Sequence, residues 1–411
     1  MLDAAPTEPE WKSWCYVAIG ALVIYCTIPV ARALRELVAK QIGLDFFLYL
    51  TVALALIAGG LAFRNLRSRR LPTNAYIYLF AIIATFMGYI YQLRDIPEEA
   101  IHVAEYGAIG ILVYRALAHR TRDFSIYIMA TLIVGMIGVL DEYIQWIAPS
   151  RVFDLRDIRT NFIAGALGQL AIMAGLRPRI IAGWPTSASW SRFCYTLAVG
   201  LMLLAVGFLN TPQRITWYAS EIPALSFLLD SKSMMVEYGY RYEDKDIGIF
   251  RSRFSPEELK QLNSQRGAEV AGILDEYLRG KGYKRFLSSF TVPRDAYAHE
   301  AGIHLFRRNR YFDRAQKPGA NQSEQYNVAY RENQILSRYF PAAINRSGHS
   351  WSEAEALEVK NNARETTIYE SPVSAGLITR LNEWQVILLF STVILALLVP
   401  GFFTRKQPKS M

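Results

Sequence analysis

Eight long apolar runs, with nearly all charge confined to their ends, constrain this chain more than any motif does. They cover approximately Trp14–Val30, Phe46–Phe63, Ala75–Gln92, Ile101–Leu117, Phe124–Leu140, Asn161–Leu176, Phe193–Leu209 and Trp384–Phe403. A bilayer core about 30 Å thick takes about 20 apolar residues in helical form. Seven runs meet or nearly meet that length, and Asn161–Leu176 is short and rich in Gly and Ala. Buried helices of a large soluble protein are the rival explanation, and eight such runs argue against it. The composition agrees: 52% of the 411 residues are hydrophobic and only 20% charged, under the roughly 25% of a soluble chain. That excludes a disordered chain, a collagen, a disulfide scaffold and an ordinary soluble enzyme. Cys15, Cys26 and Cys194 all sit in apolar runs, so no disulfide framework is expected.

The short loops set the orientation. Arg64, Arg67, Arg69 and Arg70 follow the second run, Arg120 and Arg122 the fourth, Arg177 and Arg179 the sixth, and Arg405, Lys406 and Lys409 the eighth. Positive loops stay in the cytoplasm, which puts both termini inside and the polar stretch between runs seven and eight outside. The first run alone disagrees: Asp3, Glu8, Glu10 and Lys12 precede it and Arg32, Arg35 and Lys40 follow it. Cleavage as a signal peptide would remove the conflict at Ala31-Arg32-Ala33, but an acidic leader argues against it.

The outer stretch, roughly 210–383, is long enough for one domain. Val236, Tyr238, Tyr240 and Tyr242 alternate, Glu243-Asp244-Lys245-Asp246 supplies a turn, and Ile247 and Ile249 resume the pattern, which reads as a hairpin. Ser255-Pro256-Glu257-Glu258 is a helix start, followed by Leu259, Leu262, Val270, Ile273, Leu274 and Tyr277 at near-helical spacing, with Gly280 to end the helix. Ser352-Glu353-Ala354-Glu355 is a second capping signal. The expected architecture is an all-α polytopic membrane bundle of about eight transmembrane helices with an inserted α+β extracytoplasmic domain.

Ionisable groups within or at the rim of a span are costly, which makes each one a functional candidate. His102, Glu105 and Tyr106 open the fourth run; Asp141, Glu142 and Gln145 close the fifth; Arg151, Asp154, Asp157 and Asn161 lead into the sixth. Threading brings all three clusters to the outer surface, beneath the inserted domain. Asp157, Asn161, Gly165 and Gly168 follow helical spacing, and the small residues invite close helix approach. The bland alternative is that loop-end acids are merely solvated and that Arg151 with Asp154 or Asp157 is an ion pair fixing the loop.

His102-x-x-x-Tyr106-Gly107, then Asp141-Glu142-x-x-Gln145 with Pro149, Arg151, Asp157, Asn161, Gly165 and Gly168, resembles the VanZ-like membrane proteins over residues 20–176. The family usually has a lysine where this chain has Glu99. The resemblance implies a bacterial protein of the cytoplasmic membrane, in a family whose namesake is linked to low-level resistance to the glycopeptide teicoplanin. The plan is then a VanZ-like domain of about six helices over 1–180, a linker and seventh helix over 181–209, the outer domain over 210–383, and the eighth helix with a cytoplasmic tail over 384–411.

The leading function is binding of an envelope amphiphile, a lipid-linked cell-wall or polysaccharide precursor or an acylated glycopeptide. Arg151 would take an anionic head group, and Asp141, Glu142, Asp157 and His102 the polar or cationic parts. No cofactor is expected. The first rival is a hydrolase or transferase using these carboxylates and His102 for acid–base chemistry or to hold Mg²⁺ or Ca²⁺. The second is a lipid transporter, against which stands the lack of charge at mid-depth, Gln169 being the main polar residue there. His299-Glu300-Ala301-Gly302-Ile303-His304 resembles a zincin motif with one residue too many. Histidines five apart lie about 140° apart around a helix, so zinc would need a bulge there, and an ordinary surface helix is the plainer expectation. The basic residues Lys281, Lys284, Arg285 and Arg307–Arg314 suit lipid head groups or solubility rather than nucleic acid, given the compartment. Membrane lipids are the expected partners, and nothing in the chain sets an oligomeric state.

Overall fold

The structure, a computed structural model, describes residues 5–149, 151–278, 282–317, 321–363, 369–371, 373 and 381–405. Asp3, Gly280, Lys281, Lys406 and Lys409, used above, lie outside the described residues. In chain order the first helices are α1 (Glu10–Gln41), α2 (Asp45–Ser68), α3 (Thr73–Gln92), α4 (Pro97–Leu117), α5 (Ser125–Trp146), α6 (Leu155–Leu170) and α7 (Ser187–Leu209). There follow α8 (Pro212–Glu221), strands β1 (Tyr240–Asp244) and β2 (Gly248–Ser252), α9 (Pro256–Tyr277), α10 (Tyr283–Ser289) and α11 (Val292–Ala315). The last are α12 (Gln322–Tyr339), α13 (Pro341–Asn345), α14 (Glu353–Asn362) and α15 (Glu383–Arg405). The chain forms two units, Met1–Gly207 with Leu388–Met411, and Phe208–Ile387.

In the first unit, seven helices among the described residues are long and apolar enough to cross a membrane: α1 to α5, α7 and α15. Large apolar side chains point outward along them, including Leu56, Ile57 and Leu61 on α2 and Leu388, Leu389 and Leu395 on α15. Water does not tolerate such faces, whereas hydrocarbon does. The expected eighth span falls short by composition. It is α6, running on as a π-helical segment Ala171–Leu176, and its first turns carry Arg156, Asp157, Arg159, Thr160 and Asn161. This helix packs between α4 and α5, so protein neighbours stand in for much of the lipid.

The helices alternate in direction. Glu8 and Glu10, just before and at the start of α1, pair with Arg115 (2.5 Å) and Arg120 (2.7 Å) at the end of α4. Arg69 at the end of α2 donates to the Arg177 carbonyl beyond α6 (2.9 Å), and Ser191 at the start of α7 donates to the Gly401 carbonyl near the end of α15 (2.7 Å). At the opposite end, Tyr89 of α3 bonds Thr160 of α6 (2.9 Å), and the Gly207 amide of α7 donates to the Tyr143 hydroxyl of α5 (2.7 Å). Glu8 and Glu10, which ran against the charge pattern of the loops, are thus partners of two arginines at the same end.

Small residues let α4, α5 and α6 close on one another. A Cβ on Gly138 would lie 2.9 Å from Asn161 Cβ, and one on Gly165 2.7 Å from Val134 Cγ1. Gln169 is buried and donates from Nε2 to the Gly110 carbonyl (2.8 Å), so the polar residue at mid-depth ties α6 to α4. Gly165→Leu is expected to cost about 1–3 kcal/mol by overpacking. It should lower the thermal midpoint of the full chain in detergent, while Gly60→Leu, where a Cβ meets nothing within 4 Å, leaves it unchanged. Equal effects of the two would refute the tight packing.

The second unit is helical around one small antiparallel hairpin, with Tyr242 opposite Phe250. The α+β expectation is corrected to that extent: among the described residues the strands stop at β1, β2 and a bridge from Ile249 to Glu370. Tyr242, Ile247 and Phe250 are the hairpin's share of a core otherwise built from α9 to α13, including Leu259, Val270, Leu274, Phe286, Tyr297, Leu305, Ile335 and Phe340. Ile247 sits in the turn rather than in a strand, because Gly248 (φ +105°) carries the chain into β2 with its backbone against Tyr369. Both capping signals are realised as reciprocal boxes, Ser255 with Glu258 and Ser352 with Glu355.

Candidate functional site

The three polar clusters meet at one end of the first unit, where α4 begins, α5 ends and α6 begins. They divide into two groups. Glu142, Gln145, Arg151 and Asp154 form a chain of bonds that shapes the α5–α6 loop. Gln145 Nε2 donates to Glu142 Oε1 (2.8 Å), the Asp154 amide donates to Glu142 Oε2 (2.8 Å), and Arg151 Nη2 donates to Gln145 Oε1 (2.6 Å). Asp154 caps α6 through the Arg156 amide and pairs with the Arg156 guanidinium (2.7 Å). Burial pushes the Asp154 carboxyl up, but those bonds outweigh it and hold it below its ordinary range. The loop's ion pair is therefore Arg156 with Asp154, and Arg151 is held by an amide oxygen.

The second group is His102, Glu105, Tyr106, Asp141, Asp157 and Asn161. His102 Nδ1 lies 3.2 Å from Glu105 Oε2, both side chains partly exposed at the rim. Inside that rim Tyr106, Asp141 and Asn161 are at most 1% exposed. The Tyr106 hydroxyl neighbours the Asp141 carboxylate, yet Tyr106 Oη, Asp141 Oδ1 and Asn161 Oδ1 each lack a hydrogen-bond partner among the described residues. Asp141 and Asp157 each stand within electrostatic reach of His102. Buried polar atoms are normally bonded, so three bare oxygens in one place mark a site that can accept hydrogen bonds from something else.

Three residues join the site that local sequence patterns do not mark. Tyr25 of α1 donates to the Ile137 carbonyl (2.9 Å) and stands beside Asp141, while Tyr89 and Thr160 pair at the border. An aromatic residue in an apolar run carries no sign of which neighbour it will meet. A concavity of about 580 Å³ lined by Phe124, Trp184, Trp190 and Phe193 lies at the other, arginine-rich end.

The second unit separates His299, Glu300 and His304. All three are buried on α11, which corrects the expectation of a surface helix. His299 Nδ1–H donates to the Phe290 carbonyl (2.6 Å), Glu300 lies 3.3 Å from Arg253, and His304 Nδ1–H donates to Glu332 (2.6 Å). Arg308 of the basic segment is also buried, and burial pushes its guanidinium down to about 10. Among the described residues no three His, Cys, Asp or Glu side chains gather as a metal ion would require.

Alternating apolar helices with outward hydrophobic faces around a polar end define a multi-pass helical membrane protein. No family model matches the chain, and no curated protein or solved structure is similar to it.

Proposed function

We propose that this is a VanZ-like protein of the bacterial cell envelope that binds an amphiphile at the polar end of α4, α5 and α6. The head group enters between His102 and Glu105 toward Tyr106, Asp141 and Asn161, and the acyl chains lie along the apolar helix faces. The observation that carries this reading is the set of buried, unpartnered oxygens behind a partly exposed rim. A lipid-linked precursor and an acylated glycopeptide of the teicoplanin type share that division into head and chain. With the arginines at the other end on the cytoplasmic side, the site opens outward.

The test is thermal unfolding of the full-length protein in mild detergent with added bacterial polar lipid. Ligand at about 100 times its Kd contributes about 2.7 kcal/mol, which raises the midpoint by several degrees. His102→Ala should remove at least half of that shift. No shift with any lipid fraction, or the same shift in the variant, would overturn the proposal.

A further inference from the structure

The bare atoms at the site are alike in chemistry. Asp141 Oδ1 and Asn161 Oδ1 are acceptors, Tyr106 Oη can accept or donate, and none has a partner among the described residues. They are also close in the fold. Tyr106 neighbours Asp141, and Asn161 packs on Gly138, one turn of α5 from Asp141. The charges around them are unbalanced. Arg156 is paired with Asp154, and Arg151 is bonded to the neutral amide of Gln145 and keeps its charge near Asp157, while Asp141 and Glu105 face His102, which is charged only when protonated. An anionic head group would enter against those carboxylates. A neutral one would leave Asp141 buried with only the titratable His102 to answer its charge, which is expensive.

From this we infer that the site recognises a primary ammonium group. Its three N–H donors match three oxygen sites, and its charge answers Asp141. This rests on the amphiphile reading and reverses the polarity suggested by Arg151. A quaternary ammonium carries the charge without the donors, and a metal ion would need ligands that do not gather among the described residues. The chemistry has two sources, a lipid with an ethanolamine head or a free amine, and the rim formed by His102 and Glu105 is partly exposed to either.

The full-length protein in detergent is titrated with dioleoylphosphatidylethanolamine, the matching phosphatidylcholine and phosphatidylglycerol, and free ethanolamine, with thermal midpoint as the readout. The ethanolamine lipid is expected to raise the midpoint by several degrees and the other two lipids by less than about a third of that, since they lack either the donors or the charge. Asp141→Asn and Asn161→Ala should each lose most of the shift. Equal shifts from all three lipids would overturn ammonium recognition and leave lipid binding standing. Full retention of the shift in both variants would overturn this location. A shift from free ethanolamine as large as that from the lipid would support the ammonium site and refute the amphiphile reading. No shift from any of them would refute both.

Discussion

Replacing Arg253 with methionine is expected to destabilise the second unit by about 3–5 kcal/mol, the range for breaking a buried ion pair from one side. Arg253 follows β2 and is 8% exposed, between Glu237 (2.6 Å), which precedes β1, and Glu300 of α11 (3.3 Å). Burial works to lower the guanidinium's pKa, but the two carboxylates outweigh it and hold the group above its ordinary value. This triad pins both ends of the hairpin to α11. Without the arginine, two acids remain in a dry site with no counter-charge. Hydrogen exchange of the full chain should show amides of α9, around Val270–Leu274, exchanging about two to four powers of ten faster. Adding Glu300→Gln to the methionine variant should recover part of the loss, because one stranded charge disappears. No recovery would mean that the loss is one of packing and not of charge.

The same region should weaken as the pH falls from about 6.5 toward 4. Burial, and after it the nearby Arg253 charge, pushes His299 down to about 4. An unfolded histidine titrates near 6.5. With the folded value below the unfolded one, protons bind the unfolded chain first as the solution acidifies. The contribution is thus complete above about 6.5 and is lost on the way down to 4, reaching about 3 kcal/mol. His299→Asn keeps an N–H for the Phe290 carbonyl and removes the titration. Its stability, followed by hydrogen exchange across that window, should vary less with pH than that of the wild type. Parallel profiles would place the acid sensitivity elsewhere.

Much of the membrane unit was legible in the chain because lipid imposes a single rule on every span, that the side chains facing it be apolar. Length and charge placement were enough for seven helices. The eighth was harder because α6 meets α4 and α5 instead, and a protein-facing helix can carry Asn161 and Gln169 where a lipid-facing one cannot. The capping boxes at Ser255 and Ser352 were readable for a similar reason: their bonds close within four residues. The strand content was overstated because alternation at Val236–Tyr242 signals an extended chain without saying where a partner strand begins.

The sequence by itself determined that the polar residues of α4, α5 and α6 would gather at one end, since threading order across a bilayer leaves them nowhere else to go. Only the tertiary structure decided what each does there. It committed Arg151 to Gln145 and Glu142 to the Asp154 amide, left oxygens of Asp141 and Asn161 bare, and drew His299, Glu300 and His304 into separate partnerships. Side-chain bonding depends on angles and distances between segments far apart in the chain, and local spacing does not encode them.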